Sequence, residues 1–164
     1  DELNDMRFSY PLQQVGVEDK ALVKAYSDDF FAEIVYKKKT MPHAVEALEY
    51  LSSKYNLYIL SHGFRELQEQ KMRSAGVDKY FKKVVLSEDI GVHKPFPEIF
   101  YFAMSATQSE LHTSLMIGDN WENDIAGAKD AGLGQVFYNV KKTTKFSFQP
   151  TGIIEDWNEI GKIL

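Results

Sequence analysis

From residue 41 onward, short apolar runs alternate with segments of helical periodicity. Tyr55 to Leu60, Val84-Val85-Leu86, Leu115-Met116-Ile117 and Gln135 to Tyr138 read as buried strands, with Ile153-Ile154 a last short one. One helical pattern precedes them and three lie between them. The first opens at Met41-Pro42, with Pro42 near the first turn where its missing N–H costs nothing, and carries Ala44, Val45, Leu48 and Leu51 on one face. The second runs from Phe64 to Ala75 and stops at Gly76. The third starts at Pro97 and carries Ile99, Phe100, Ala103 and Met104, and the fourth spans roughly 122–131 and stops at Gly132. Trp157 to Leu164 predicts a closing helix. Strands and helices that alternate through short loops build an α/β fold, a parallel sheet with helices on both faces.

The first stretch is different. Leu22, Val23 and Tyr26, then Phe30, Phe31 and Ile34, recur at three- and four-residue steps, the spacing of a helix. Residues 1–14 also read as helical, with a bend at Tyr10-Pro11 and a stop at Gly16. Residues 1–35 carry 8 acidic and 3 basic residues, and the rest of the chain carries 16 of each, so the whole net charge of −5 sits in the N-terminal part. Lys37-Lys38-Lys39 reads as a solvated joint. Two units are therefore expected, residues 1–38 and residues 39–164.

With 44% hydrophobic residues the chain can bury a core. It contains no cysteine, which excludes a disulfide framework, a thiolate zinc site and a cysteine nucleophile. That composition suits a reducing compartment, and the expected location is cytoplasmic. No Arg-rich stripe offers a nucleic-acid duplex a footprint. No apolar run approaches the roughly 18 residues of a membrane span, and no signal peptide opens the chain. The first residue is Asp1 rather than Met, so a chain without its natural start is expected.

Ligands of open α/β sheets bind beyond the carboxyl ends of the strands, and three strand ends here carry reactive groups. Ser61-His62-Gly63 places a hydroxyl before a helix start, where free N–H groups and the helix dipole favour an anion; a simple N-cap serine fits the same residues. Gly91-Val92-His93-Lys94-Pro95 delivers one ammonium just before a proline that restricts it, and it can face a phosphate or be an ordinary surface lysine. Gly118-Asp119 ends an apolar strand, with Asp124 five residues on. Two carboxylates brought together there can hold a hard cation through oxygens and waters; a helix cap accounts for one of them.

Taken together, the three strand ends resemble the motifs of the haloacid dehalogenase superfamily, from its second motif onward. Leu60-Ser61-His62-Gly63-Phe64 is similar to the second motif, where the family has Ser or Thr, commonly followed by Asn-Gly. Gly91 to Pro95 is similar to the third, and Met116 to Ile125 to the fourth, continued by Ala126 to Gly132 in the usual way. The resemblance covers about residues 41–154. In detail it is closest to the branch of 5′-nucleotidases that favour pyrimidine nucleotides. It implies a three-layer Rossmann-like core and a Mg²⁺-dependent phosphohydrolase that takes a small phosphorylated metabolite, with a nucleoside monophosphate among the candidates. Residues 1–38 would be the remnant of a helical cap domain.

By the same resemblance, Ser61 and the N–H groups of His62 and Gly63 bind phosphate oxygens, and Lys94 neutralises phosphate and nucleophile together. Asp119 is the metal ligand, and Asp124 an outer partner that holds metal waters or Lys94. Two features depart from the family. His62 replaces Asn, which puts a titratable ring beside the phosphate loop. The family's nucleophile lies in Asp-x-Asp at the end of an apolar strand, and this sequence contains no Asp-x-Asp. Asp1, Asp5, Asp28 and Asp29 sit in helical surroundings with no strand before them. The expectation is that the first strand, the nucleophile loop and the start of the cap lie upstream of this chain, which would be inactive alone. The alternatives are a phosphate- or nucleotide-binding domain without catalysis and an α/β protein without phosphate chemistry.

Overall fold

The computed structural model describes residues 2–164, with side chains described from residue 8 onward; Asp1 and the side chain of Asp5 lie outside the described residues. Helices α1 (Glu2–Gln14) and α2 (Lys20–Ile34) come first. Asp19 caps α2, its Oδ1 accepting from the N–H groups of Ala21 at 2.9 Å and Leu22 at 3.1 Å, which satisfies two of the helix's free donors. The two helices meet through aromatic side chains: Phe8 against Tyr26 and Phe30, and Phe30 against Phe31. Tyr10-Pro11 does not end the helix, because α1 continues through Pro11 to Gln14. A proline in the last turn removes only one ladder bond, and contact with α2 holds the helix across it. Asp28 and Asp29 lie on exposed turns of α2, with Asp28 paired to Lys24 at 2.7 Å.

Then follow α3 (Ala44–Ser52), β1 (Leu57–Ser61), α4 (Arg65–Ala75), β2 (Phe81–Leu86) and α5 (Pro97–Thr107). The chain closes with β3 (Leu115–Gly118), α6 (Gly127–Asp130), β4 (Gly134–Tyr138) and β5 (Gly152–Ile154). Each expected strand is present, and β2 begins three residues before the expected Val84. The helix expected from Pro42 opens instead at Ala44, after a turn that ends on His43 in the left-handed region (φ 58). Its ring Nδ1 lies 2.7 Å from Asp156 Oδ1, so a contact with the far end of the chain overrides the local proline signal. The closing helix is shorter and tighter than expected, a 3₁₀ helix over Trp157–Lys162.

All strand pairs are parallel. β1 pairs with β2, and β3 with β4, which pairs with β5 on its other side. Among the described residues, β1 and β3 share no ladder, so the sheet is in two pieces. Side chains nevertheless place both pieces in one layer. Leu57 of β1 packs with Leu115 and Ile117 of β3 against Ala47, Leu51, Val136, Ile154 and Ile160 on the face covered by α3 and the C-terminal turn. Leu60 of β1 packs with Met116 of β3 against Ile99, Phe100, Ala128, Ala131 and Leu133 on the face covered by α5 and α6. Adjacent strand residues point to opposite faces, so one layer of strands feeds two cores. No helix among the described residues is long and apolar enough to cross a membrane.

Candidate active site at the strand tips

The loops after β1, β2 and β3 are tied together by Lys94. Its Nζ donates to the Leu60 carbonyl at 3.0 Å and to Asp124 Oδ1 at 2.6 Å. Both side chains are buried, 9% exposed for Lys94 and 7% for Asp124, so the pair is shielded from water and salt. Its backbone N–H donates to His62 Nε2 at 2.8 Å. One residue thus bridges the two halves of the split sheet. Its loop is anchored by Arg65 at the start of α4, which donates through Nη2 to Asp89 Oδ1 at 2.6 Å and through its backbone N–H to Glu88 Oε1 at 2.9 Å. The Leu86 N–H and the Arg65 guanidinium hold the Asp89 carboxyl below the usual aspartate range, and Asp89 in turn raises Arg65.

Asp124 does not cap the following helix. That position belongs to Asn120, whose Oδ1 accepts from the Asn123 N–H at 2.9 Å. Residues Trp121–Ala126 then form a wide π turn, and only Gly127–Asp130 is α-helical, in place of one continuous helix over 122–131. The physical reason is packing. A Cβ on Gly127 would lie 2.9 Å from Phe100 Cε2 and from the Pro95 backbone, so this turn is pressed against the lysine loop. The π turn directs Asp124 inward, where Oδ2 accepts the Asn120 N–H at 3.1 Å while Oδ1 takes Lys94. Asp119, by contrast, is exposed and makes no hydrogen bond or ion pair among the described residues.

Gly118 makes this approach possible. A Cβ there would fall inside the Asp124 side chain. Gly118→Ala should therefore displace Asp124 and cost about 1–3 kcal/mol by overpacking. Urea unfolding of the variant checks this, and an unchanged midpoint would show that Asp124 has room to move.

Ser61 ends β1, with its Oγ 3.3 Å from the Gly63 N–H and 3.2 Å from Gln68 Nε2, both of which donate to it. Gln68 is a residue that sequence reasoning missed. Its position in the first turn of α4, seven residues beyond the serine and across a glycine that leaves room for it, was the available signal. The His62 ring stands edge-on to His93, with centroids 5.2 Å apart. Partial burial, then the charges of Lys94 and His93, push the His62 pKa below 6.5, and Asp124 opposes weakly. The structure thus links Ser61, His62, Gly63, Lys94 and Asp124 at one end of the strands, and puts Asp119 on the adjoining tip.

The exposed Asp119 carboxylate and the absence of cysteine suit a hard divalent cation rather than a thiophilic one. The described residues hold no group of three His, Asp or Glu side chains able to ligate a metal. Asp119 is an exposed carboxylate at the β3 tip that is free to face such an ion.

Residues 4–137 match the family described as haloacid dehalogenase-like hydrolase. The chain is 32% identical over 157 residues to pyrimidine 5′-nucleotidase YjjG of Escherichia coli, covering 95% of this chain and 66% of that protein. It is 28% identical over 141 residues to a glyceraldehyde 3-phosphate phosphatase of Methanothermobacter thermautotrophicus, covering 85% of this chain and 62% of that one. Its fold matches the magnesium-bound crystal structure of the HAD-hydrolase YfnB from Bacillus subtilis, with a TM-score of 0.89 and 28% identity over 99% of this chain and 71% of that one. This chain thus spans less than two thirds of the length of both curated relatives, and by its family match over residues 4–137 and its fold it belongs to the haloacid dehalogenase-like hydrolases.

Proposed function

We propose that this chain forms most of a Mg²⁺-dependent phosphohydrolase that acts on small phosphomonoesters, nucleoside monophosphates included, through an aspartyl-phosphate. The observation that carries the reading is the buried Lys94–Asp124 pair beside Ser61 and Asp119, all at the carboxyl ends of parallel strands. In this reading, Ser61 and the N–H groups of His62 and Gly63 bind the phosphate oxygens. Lys94 spreads positive charge toward the nucleophile and the phosphate, which is positioning and electrostatic stabilisation rather than covalent work. Asp119 ligates the cation and Asp124 steadies Lys94. Bound Mg²⁺ would supply charge neutralisation at the phosphate.

The covalent step belongs to an Asp-x-Asp segment outside residues 1–164. Its first carboxylate attacks phosphorus as the P–O bond to the leaving group breaks. The second carboxyl protonates the departing alkoxide and then deprotonates the water that cleaves the acyl phosphate. Its strand would lie between β1 and β3, whose facing edges share no ladder. Helices α1 and α2 are read as part of a cap, in a cytoplasmic enzyme. The end of α2 meets the core where Phe31 and Val35 face Phe64 and Leu67 across a crevice of about 320 Å³ just beyond the phosphate loop.

The YjjG and glyceraldehyde 3-phosphate phosphatase names support the substrate class, and the magnesium-bound YfnB structure supports the cation. A phosphate-release assay of the nucleotidase-length protein with Mg²⁺, over nucleoside monophosphates and sugar phosphates, tests the proposal. Turnover should need Mg²⁺ and vanish with EDTA. A second reading, phosphate binding without turnover, is favoured by the lack of Asp-x-Asp in this sequence. Phosphate binding with no release from any substrate would select it.

A further inference from the structure

We infer that the His62 imidazole is a positioning residue for Lys94, holding the lysine loop against the phosphate loop by accepting the Lys94 backbone N–H. The inference rests on the reading of Lys94 given under Proposed function, and it adds a role for a side chain that the family motif does not have at this place.

Two hydrogen bonds join residues 91–95 to residues 60–63, and both are made by Lys94. One comes from Nζ, at the end of four rotatable bonds. The other, from the backbone N–H to His62 Nε2 at 2.8 Å, fixes where the side chain starts. The rest of the loop bonds within itself or to its own base: Gly91 N–H to the Ser87 carbonyl at 2.8 Å, and Phe96 N–H to the His93 carbonyl at 3.1 Å. Pro95 has no N–H to contribute. The imidazole is therefore the anchor that decides whether Nζ can reach Leu60 and Asp124 without searching.

The geometry also specifies the ring's chemistry. A backbone N–H can only donate, so Nε2 must carry the lone pair and Nδ1 the proton. A doubly protonated ring has no acceptor left and would set an N–H against an N–H. The groups facing the ring are Lys94 and His93 from the lysine loop and Asp124 from the π turn. Two of the three disfavour its protonation, as does burial, so the accepting form prevails near neutral pH. The sign follows. With the folded pKa below the unfolded value of 6.5, the neutral ring's contribution is fully present above about pH 6.5 and is lost as pH falls through the folded pKa. An asparagine here would not show this, because an amide does not titrate.

The test has two arms. In the 164-residue chain, ¹⁵N NMR between pH 5 and 8 should show the Lys94 amide shift moving with the titration of the His62 ring. His62→Gln places an amide oxygen where Nε2 stood, so the amide should stay hydrogen-bonded and its shift should become flat with pH. His62→Leu offers no acceptor, and the amide should lose its exchange protection. In the nucleotidase-length protein, His62→Leu should lower kcat about tenfold with a smaller change in KM, since a misplaced group near the reaction costs up to about 10²-fold. His62→Gln should recover most of that loss and remove the acid limb of the kcat/KM profile that His62 sets. A Lys94 amide indifferent to His62 titration overturns the inference. So does a kcat in His62→Leu equal to that of the parent. If the longer protein releases no phosphate from any substrate, the proposed function fails, and the NMR arm still decides the anchoring by itself.

Discussion

Lys94→Met should lower the stability of the chain by about 3–5 kcal/mol, the usual cost of leaving one partner of a buried ion pair alone. Methionine keeps the length and apolar stem of the lysine, so packing is nearly preserved and the effect isolates the ammonium. Asp124 stays in place, because Gly118 and the Asn120 N–H hold it, and its Oδ1 faces a site shielded from water. The Leu60 carbonyl loses the same donor. Against a total stability of about 5–15 kcal/mol, this is a large fraction. The double variant Lys94→Met/Asp124→Asn should recover much of it, since Asn still accepts from Asn120 and carries no charge. Urea midpoints at unchanged slope measure both. A single variant within about 0.5 kcal/mol of the parent would mean that solvent reaches the pair. In the nucleotidase-length protein the same single substitution should also cut kcat about 10²–10³-fold, the scale of losing one electrostatic stabiliser.

The second large effect concerns the covalent step. Residues 1–164 alone should release no phosphate above background, because they contain no Asp-x-Asp. Asp28 and Asp29, the described candidates, sit on exposed turns of α2. Joining an upstream segment with an apolar strand ending in Asp-x-Asp should raise turnover by on the order of 10⁴–10⁶-fold, the range lost when a covalent nucleophile is removed from a hydrolase. A control ending in Asn-x-Asn should restore stability without turnover. The expected structural basis is one parallel strand completing the layer between β1 and β3. Each unmade buried hydrogen bond there costs about 1–3 kcal/mol, so the added segment should raise the unfolding midpoint as well. Turnover and phospho-aspartate formation on residues 1–164 by themselves would refute the assignment.

The elements of the core were legible because they are written locally. Leu115-Met116-Ile117 and Val136-Phe137-Tyr138 are apolar runs of strand length, Pro97 opens a helix, and Gly76 and Gly132 close two. Parallel pairing of β1 with β2 and of β3 with β4 followed from alternation, because a helix between two strands returns the chain to the same end of the sheet, whereas β5 reaches its parallel place beside β4 through a connection without a helix. The motif residues at the tips were legible for the same reason: Ser61 and Gly118-Asp119 mark where a strand ends, and Lys94 stands before a proline.

What local pattern could not settle was decided by contacts between residues far apart. The cap of the turn after β3 went to Asn120 and not to Asp124, because Lys94, 30 residues away, draws the Asp124 carboxylate inward. The expected helix over 122–131 opened as a π turn, because Gly127 had to clear Pro95 and Phe100. His43 left the helical region beside Asp156, 113 residues on, and so moved the start of α3 past Pro42. The His62–Lys94 bond spans 32 residues. Periodicity and capping rules report the free energy of a few neighbouring residues. A hydrogen bond or buried charge across the sheet depends on strand register and on which side chains share the dry interior, and those exist only once the layers have packed.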